Sequence, residues 1–315
     1  MTTTQEFIRV DHLTEIRHQE PTYLAIGAFD GVHLGHQAVL CNMVAAARAA
    51  GVRTAVLTFF PHPSRFLRHE SGPYYLATLE ERVRLLASLG LDLIITHPFN
   101  DEVRQTRAAD FVEQLRRHLD MRQLWGGDFA FGYKREGDIP FLRRLGAERG
   151  FTVESVQSMV AVSGERVSSS RVRHGLLAGD IADVTACLGR PFQVSGEVVY
   201  GDQRGRTIGF PTANLAVWKE LLLPANGVYA TYAWVGAQRY LAATNVGIRP
   251  TVNGGHVTVE AHLLDFAGDL YGQTLRLEFI SHIRPEKRFS GLPELQTQIQ
   301  ADVTAIRGLQ LTVDS

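Results

Sequence analysis

Two histidines stand three residues apart near the start of the chain, within the segment GAFDGVHLGHQ at positions 27–37. The apolar run YLAI precedes this segment and a helix-like run follows it, so the sequence predicts a strand-to-helix turn. The free backbone N–H groups and the positive end of the helix dipole attract anions at such a turn. His33 and His36 can then face one phosphate group, and Gly35 lets the backbone approach it closely.

Whether this segment binds phosphate depends on what else the chain offers. The histidines could do no more than fill a turn or cap the helix, and Asp30 fits a helix cap as well as a substrate contact. None of the three lysines follows a glycine, so the sequence contains no GxxxxGK[ST] phosphate loop. Any ATP-binding site must therefore be built in another way.

A second segment with chemical potential is GDQRGRTIGFPTANL at positions 201–215. Its glycines recur every four residues, and Thr212 and Asn214 then follow on alternate positions. Residues two apart in an extended segment point to the same face, so a hydroxyl and an amide oxygen converge. Both are hard oxygen ligands that suit a Mg²⁺ ion bridging ATP phosphates. The glycines could admit a phosphate chain against bare backbone, or only mark turns.

The first half of the chain alternates strand-like and helix-like runs from Tyr23 onward. Regular alternation predicts βαβ units, which form a parallel sheet with helices on both faces and bind ligands beyond the carboxyl ends of the strands. The segment at positions 27–37 falls at such an end. The run PHPSRF, after the strand-like TAVLTFF, is expected to stay an irregular loop because of its prolines.

The second half of the chain does not show this regular alternation of strands and helices. SSSRVRHGLLAGDIADVTACLG reads as two short helices, and five β-rich runs separated by Gly, Asn and Asp turns follow it. This pattern is typical of an antiparallel barrel or sandwich. The run LPELQTQIQADVTAIRGL then predicts a closing amphipathic helix. We place the domain boundary near Leu188, which gives one domain at 1–187 and another at 188–315.

Composition limits the classes of partner. A chain of 315 residues with 45% hydrophobic content can bury two cores, and a formal net charge of -1 argues against nucleic-acid or membrane surfaces. Cys41 and Cys187 form no metal-binding or disulfide pattern, so two reduced, buried thiols are expected. The N-terminal run has no leader-like character, and no apolar run reaches membrane length. A cytoplasmic protein with small-molecule ligands follows, and a homo-oligomer stays open.

Several motifs together resemble one family. GAFDGVHLGH, TFFPHP at 58–63, GGDFAFGYKREGD at 126–138 and VSSSRVR at 167–173 are similar to the adenylyltransferase half of the bifunctional bacterial riboflavin kinase/FAD synthetase family. The run GDQRGRTIGFPTANL, with NGVYA, TNVGIRPT, VEAHLLDFAGDLYG and IRPEKRF, resembles its riboflavin kinase half. The resemblance covers the chain from Tyr23 to Arg307, and it implies a Rossmann-like HxGH nucleotidyltransferase domain followed by an antiparallel kinase barrel.

For the first half, the resemblance implies that a phosphate oxygen of FMN attacks the α-phosphorus of ATP, giving FAD and pyrophosphate. The nucleophile is already an anion, so catalysis consists of positioning and charge neutralisation. His33 and His36 would hold triphosphate oxygens, and Arg171 would bind the departing pyrophosphate. The other residues implied in binding are Gly27, Phe29, Asp30, Gly35, Ser168, Ser169 and Ser170 for ATP or phosphate, and Asp128 and Phe129 for the flavin. The serines could equally cap a helix.

For the second half, the resemblance implies transfer of the γ-phosphoryl group of ATP to riboflavin. The 5′-hydroxyl of riboflavin is a poor nucleophile, so Glu260 would accept its proton. An outward-facing strand glutamate is the alternative. Thr212 and Asn214 would hold Mg²⁺, and Gly201, Gly205 and Gly209 would admit the phosphates. Asp265 and Asp269 are expected in turns, and Arg284 and Lys287 as solvated charges.

The chain departs from the family pattern at a few positions. Ala28 stands where a polar residue is frequent, Phe60 where an acid is frequent, and Ser170 where Thr is usual. Two alternatives to a bifunctional enzyme therefore stay open: a chain in which only the kinase half is active, and a flavin-binding regulator without turnover. Transfer of a nucleotidyl group to another acceptor is a third, because HxGH alone does not select the acceptor.

Overall fold

The computed structural model of the protein describes residues 7–127, 131–155, 160–201, 204–249 and 256–313. Contacts between Cα atoms divide the chain into two compact units. The first comprises Met1–Ser71 and Thr78–Val167, and the second comprises Gly72–Ala77 and Ser168–Ser315. The segment 168–187 thus groups with the second unit, whereas the sequence analysis assigns it to the first domain, and the boundary at 187/188 stays a prediction.

The first unit is an α/β fold. Its strands are β1 (Ile8–Val10), β2 (Thr22–Gly27), β3 (Arg53–Phe60), β4 (Leu93–Pro98), β5 (Met121–Gly126) and β6 (Thr152–Ser155), with a hairpin of β7 (Ala161–Val162) and β8 (Glu165–Arg166). Its helices are α1 (Leu34–Ala50), α2 (Pro63–Arg68), α3 (Leu79–Ala87), α4 (Asp101–Gln105), α5 (Ala108–Leu119) and α6 (Ile139–Arg149).

Strands β1 to β6 form one parallel sheet in the order β1-β4-β3-β2-β5-β6. The predicted parallel sheet is therefore confirmed. From β2 the chain moves outward through β3 and β4 on one side and then through β5 and β6 on the other. The strand order reverses between β2 and β5, and open α/β sheets bind ligands in the crevice beyond such a reversal. β2 ends at Gly27, so the histidine segment begins at this crevice.

Alternate strand residues build a core on each face of the sheet. Leu24 and Leu57 belong to one apolar cluster, with α5 packed against it, while Ala25 and Val56 belong to another, with α1 and α3 packed against it. Successive residues of a strand point to opposite faces, so strands that are apolar throughout are covered on both sides. The helices on both faces confirm the predicted layering.

Two local expectations are wrong. PHPSRF is not irregular, because α2 starts at Pro63, where the first turn of a helix needs no N–H donor, and the His62 side chain accepts a hydrogen bond from the N–H of Ser64 at 3.2 Å. Cys41 is exposed on α1, whereas Cys187 is buried. The apolar stripe of α1 passes through Leu40, Met43 and Val44, so residue 41 turns away from the core.

The second unit contains a closed barrel. Its elements are α7 (Ser169–Ala178), α8 (Ile181–Leu188), β9 (Phe192–Val199), α9 (Arg204–Thr207), β10 (Ala213–Ala216), β11 (Gly227–Val235), β12 (Gln238–Arg249), β13 (His256–Leu263), β14 (Thr274–Pro285) and α10 (Leu292–Val313). The barrel order is β10-β13-β12-β11-β14-β9, with antiparallel neighbours throughout. The barrel alternative is thus confirmed over the sandwich, and so are the helix pair before it and the terminal helix.

The terminal helix is attached to the barrel by apolar packing and by an ion pair. Val303 and Ile306 of α10 belong to an apolar cluster with Ala230 of β11. The Arg284 guanidinium donates to the Asp302 carboxylate of α10 through Nε at 2.9 Å and through a second nitrogen at 2.7 Å. The expectation that Arg284 is a solvated charge is wrong, because its side chain is only 18% exposed in this pair.

A short segment far from the barrel in sequence also packs in the second unit. In Gly72–Ala77, the backbone N–H groups of Tyr74 and Tyr75 donate to the Glu220 carbonyl at 2.8 and 2.9 Å. The Leu222 N–H donates to the Tyr75 carbonyl at 2.8 Å. Tyr75 is fully buried, with its ring 5.0 Å from that of Trp218.

Two helical glycines should respond to alanine in opposite directions. A Cβ on Gly146 of α6 would lie 2.4 Å from the Phe151 carbonyl oxygen, which is backbone and cannot move freely. Gly146→Ala should therefore destabilise the protein by about 1–3 kcal/mol. Gly308 of α10 has open space at the same point, so Gly308→Ala should stabilise by up to about 1 kcal/mol. Urea unfolding followed by circular dichroism measures both, and equal signs would contradict this packing.

Candidate functional site

The turn after β2 has a strained backbone. Phe29, Gly31 and Val32 have φ values of 46°, 76° and 41°. A positive φ is unusual for any residue with a Cβ and is a genuine outlier for a β-branched one such as Val32. Phe29 and Val32 are nevertheless 5% and 1% exposed and belong to the core cluster with α1 and α3. Core packing thus holds the turn in a conformation that it would not adopt alone.

His33 caps α1. It has an extended backbone, and its Nδ1 accepts a hydrogen bond from the His36 N–H at 3.3 Å. The alternative that Asp30 is the cap is therefore excluded. An acceptor Nδ1 carries no proton, so in the neutral ring the proton sits on Nε2, which can donate to a ligand. Capping and anion binding would use different atoms of the same imidazole, so the predicted phosphate contact of His33 stays a prediction.

His36 lies directly against His33. The ring centroids are 3.7 Å apart with the planes inclined by 19°, and Phe29 meets His36 edge-on at 5.2 Å. Burial, and to a lesser degree the neighbouring His33 and Arg82, hold the pKa of His36 well below its usual value. The Nδ1 atom of His36 has no hydrogen-bond partner within the part of the chain that the structure describes. The site therefore contains a neutral, partly buried imidazole whose Nδ1 atom is shielded from solvent.

The glycines of this segment accommodate aromatic rings. A Cβ on Gly27 would lie 3.0 Å from the Phe29 ring, and one on Gly35 would lie 3.1 Å from the His33 ring. Both distances are shorter than ordinary van der Waals contacts. Gly27 and Gly35 therefore permit the packing of the rings, in addition to any approach of a ligand.

Arg82 is a residue that the sequence analysis missed. Its side chain is fully buried, donates to Thr58 Oγ1 and to the Phe59 carbonyl at 3.3 Å each, and lies 3.7 Å from Asp30 Oδ1. The Thr58 hydroxyl donates to the Ala28 carbonyl at 2.9 Å. A sequence signal did exist, because Arg82 occupies the apolar stripe of α3 between Leu79 and Leu86.

An aromatic cavity of about 420 Å³ opens in the same unit. Its lining includes Phe59, Phe99, Phe111, Phe131 and Tyr133, with Arg104, Lys134 and Arg135 as its cationic members. Phe111 and Phe131 meet edge-on, with centroids 5.7 Å apart. The predicted flavin contacts Asp128 and Phe129 lie outside the described residues. The cavity can hold a planar, largely apolar ring system that carries a negative charge.

The serine run begins α7. Ser168 is the N-cap and accepts a hydrogen bond from the Arg171 N–H at 3.2 Å, while Ser169 and Ser170 form the first turn. The capping alternative is thus confirmed for Ser168. The Arg171 Nε donates to Asp183 of α8 at 3.0 Å, and the Arg171 side chain is 15% exposed. Arg171 is accordingly a fixed charge near a helix N-terminus, and its predicted contact with pyrophosphate stays a prediction.

On the barrel, three polar residues share one face of adjacent strands. Glu260 of β13 pairs with Asn214 of β10 on one side and with Asn245 of β12 on the other. Paired residues of antiparallel strands project to the same side, so the carboxylate is flanked by two amides. Glu260 alternates along β13 with the buried Val259 and Ala261, so it lies on the outer face of the barrel, as the outward-facing alternative predicts, and it is half-buried there. The sequence analysis missed Asn245, although the motif TNVGIRPT contains it.

The glycine loop folds back on the predicted metal ligands. A Cβ on Gly201 would lie 2.4–2.6 Å from the Asn214 amide atoms, and one on Gly205 would lie 2.3 Å from the Phe210 carbonyl oxygen. Gly209 has a φ of +86° and open space around it. Protein atoms thus occupy the space at Gly201 and Gly205, and of these three glycines Gly209 alone leaves that space open.

His262 gives Thr212 its position. Its Nδ1 lies 2.8 Å from the Pro211 carbonyl oxygen and must donate to it, because a carbonyl oxygen only accepts. Thr212 follows directly and lines a cavity of about 680 Å³ that also includes Phe266, Asp269 and Tyr271. Asp269 accepts from the Tyr271 N–H at 3.0 Å, as expected of a turn residue.

Each half of the chain matches a known protein family. The FAD synthetase family model matches residues 15–171, and the riboflavin kinase family model matches residues 188–309. A bifunctional riboflavin kinase/FMN adenylyltransferase of Pseudomonas fluorescens is 41% identical, over 90% of this chain and 91% of that protein. The chain belongs to the bifunctional riboflavin kinase/FMN adenylyltransferase family. The predicted family and fold are thus confirmed.

Other relatives agree over most of their length. The Escherichia coli K12 bifunctional riboflavin kinase/FMN adenylyltransferase is 38% identical, over 96% of this chain and 97% of that protein. The Bacillus subtilis protein of the same name is 34% identical, over 92% and 95%. A crystal structure titled a macrolide-efflux protein from Streptococcus pneumoniae matches with a TM-score of 0.86 at 28% identity, over 96% of this chain and 98% of that one. In the described residues, no helix is long and apolar enough to cross a membrane.

The neutral imidazole of His36 should make the first unit sensitive to acid. The pKa of His36 is lowered on folding, so below about pH 6.5 the unfolded chain binds a proton that the folded chain does not. The free energy of unfolding therefore decreases as the pH is lowered. At pH 5.5 the loss from one such group is on the order of 1 kcal/mol. His36→Gln should remove this share of the pH dependence.

The measurement is hydrogen exchange of the central strands β2 and β3 at pH 7.5 and 5.5, because it reports on the first unit alone. The matched control is His18→Gln, which changes an exposed histidine of the same unit. An equal loss of stability in wild type and His36→Gln would show that His36 does not stay neutral in the folded chain.

Proposed function

We propose that the chain makes FAD from riboflavin in two ATP-dependent steps that use separate sets of residues. The barrel phosphorylates riboflavin to FMN, and the α/β unit transfers the adenylyl group of ATP to FMN with release of pyrophosphate. The observation that carries the proposal is the occurrence of two distinct constellations, His33 with His36 and Glu260 with Asn214 and Asn245, within the segments that match the two family models. The alternatives of a single active half and of a flavin-binding regulator account for only part of these observations.

For adenylyl transfer, the two imidazoles are proposed to bind the triphosphate. His33 offers Nε2–H as a donor because its Nδ1 is engaged in the helix cap. His36 offers a second ring that is partly buried and that its lowered pKa keeps neutral. Donors in a dry site act strongly on charge that develops at the α-phosphorus, and they need no reorganisation. Ser168, Ser169, Ser170 and Arg171 are proposed to stabilise the departing pyrophosphate.

The aromatic cavity is proposed to receive the flavin of FMN. Its aromatic walls suit an isoalloxazine ring, and Arg104, Lys134 and Arg135 supply positive charge for the phosphate. The predicted contacts Asp128 and Phe129 precede Phe131 of this cavity in sequence. With flavin and nucleotide both held, the FMN phosphate needs only alignment, because it is a nucleophile without further activation.

For riboflavin phosphorylation, Glu260 is proposed as the general base. Its carboxylate stands between two amides that restrict its orientation, and partial burial limits competition from water. Phosphoryl transfer depends mainly on alignment, so the base has to orient the 5′-hydroxyl and accept its proton. The cavity that Thr212 lines is proposed to receive ATP.

ATP-dependent transfer requires a divalent metal in general, and Mg²⁺ is proposed here. The donor set fits, because Thr212 and Asn214 provide hard oxygens and Gly201 leaves space for the Asn214 amide. In the described residues no group of three His, Cys, Asp or Glu side chains could hold a metal alone. The ion would therefore take nucleotide phosphates and water as its remaining ligands. When bound, it would neutralise phosphate charge. A cytoplasmic location is likewise proposed, and the oligomeric state stays open.

The two activities should separate by mutation. Glu260→Gln removes the proposed base, so it should abolish FMN formation from riboflavin while FMN is still converted to FAD. His36→Ala removes a proposed phosphate donor, so FMN should accumulate from riboflavin without FAD. Chromatography of the flavins over time, with riboflavin or FMN as the starting material, distinguishes the outcomes. Loss of both activities in both folded variants would contradict the two-site assignment.

A substitution beside the proposed metal ligand tests the kinase site more narrowly. Gly201→Ala places a methyl group within 2.4–2.6 Å of the Asn214 amide and must displace it. We expect kinase turnover to fall about 10- to 100-fold, the Mg²⁺ concentration for half-maximal rate to rise, and FAD formation from FMN to stay unchanged. Gly291→Ala, where the nearest atom would lie 3.7 Å away, is the matched control. Unchanged kinase activity in Gly201→Ala would refute the role of Asn214.

A further inference from the structure

The buried Arg82 lies at the junction of three pieces of the first unit. It belongs to α3, it donates to Thr58 and Phe59 at the end of β3, and it faces the Asp30 carboxylate in the turn after β2. Arg82 is 0% exposed and Asp30 is 1% exposed. A buried arginine and carboxylate are costly to desolvate, and removal of one partner leaves the other charge uncompensated. The position therefore demands an explanation beyond the stability of the fold.

The turn that Arg82 faces is the one that carries the histidines. Phe29, Gly31 and Val32 hold positive φ angles on either side of Asp30. Thr58 links the network to the same turn by donating to the Ala28 carbonyl at 2.9 Å. A strained turn persists only where its surroundings over-determine it. Arg82 and Thr58 supply polar contacts that hold this turn from its buried side. Apolar packing alone would not specify the orientation of the turn, because it is non-directional.

We propose that Arg82 is a positioning residue for adenylyl transfer: it holds Asp30 and the end of β3 in place, so that His33 and His36 present one fixed arrangement to the nucleotide phosphates. This inference rests on the proposed function of the first unit and adds a residue to it. Arg82 acts through the turn and is not assigned a contact with substrate.

The charge of Arg82 also acts on His36. The titratable and charged groups that face His36 in the described structure are His33 in its own turn and Arg82 on α3, with Asp30 paired to Arg82. Burial contributes most to the lowered pKa of His36, and the positive charge of Arg82 lowers it further. Loss of that charge would also leave the Asp30 carboxylate uncompensated, which favours a protonated His36. The titration of His36 therefore reports on the charge at position 82 directly, and a loss of packing alone would not reproduce its change.

The test compares Arg82→Met, which keeps the bulk and removes the charge, with Arg82→Lys, which keeps the charge. In the full chain, Arg82→Met should lower the turnover of FMN to FAD about 10- to 100-fold and raise the pKa of His36, as measured by an NMR titration of labelled histidine. Arg82→Lys should keep the wild-type titration and recover part of the turnover. Riboflavin phosphorylation should stay unchanged in both variants.

Two further variants make the result decisive. Arg53→Met is the matched control, because Arg53 is 11% exposed and donates to Thr22 at the opposite end of the strands, where β2 and β3 begin. Thr58→Val replaces the hydroxyl with a methyl group and should likewise lower FAD formation. This variant keeps the test valid if hydrogen exchange shows that Arg82→Met does not fold. Unchanged FAD turnover in a folded Arg82→Met, or in Thr58→Val if Arg82→Met unfolds, overturns the inference. Absence of FAD from wild type would instead refute the proposed function, and the His36 titration would still report on Arg82.

Discussion

The strained turn after β2 is the constraint on which the α/β unit depends. Its positive φ angles at Phe29 and Val32 are tolerated because both side chains enter the core between the sheet, α1 and α3. Only with that turn in place does His33 reach the start of α1 as a cap and bring its ring onto His36. The same packing that stabilises the fold thus determines the arrangement of the site, and a looser core would disperse both.

The barrel satisfies a different requirement by strand register. Asn214, Glu260 and Asn245 come from distant parts of the chain and align because β10, β13 and β12 are neighbours in one particular pairing. A slip of one residue would turn a strand's side chains to the opposite face and separate the carboxylate from the amides. Closure of the barrel prevents such a slip, because each strand is paired on both sides.

The sequence predicts features that depend on local order, and it fails where distant segments meet. Alternating strands and helices determine the parallel sheet, and the motifs around His33 and Glu260 identify both halves. Arg82 interrupts the apolar stripe of α3, but its partners Asp30 and Thr58 lie in other elements, so the sequence does not reveal what it contacts. Asn245 is missed because register is a property of pairing. The helix at Pro63 is missed because prolines in a short run predict a loop, although proline also fits the first turn of a helix.

The segment Gly72–Ala77 gives the second unit an unusual dependence on the chain's order. Tyr75 is fully buried beside Trp218, and its backbone is bonded to the residues around Glu220, yet in sequence it lies between α2 and α3 of the first unit. No single cut of the polypeptide releases the barrel with all of its packing. The two units are therefore interleaved in sequence, and recombination at a simple boundary would place the corresponding segment of another protein against Trp218 in place of Tyr75.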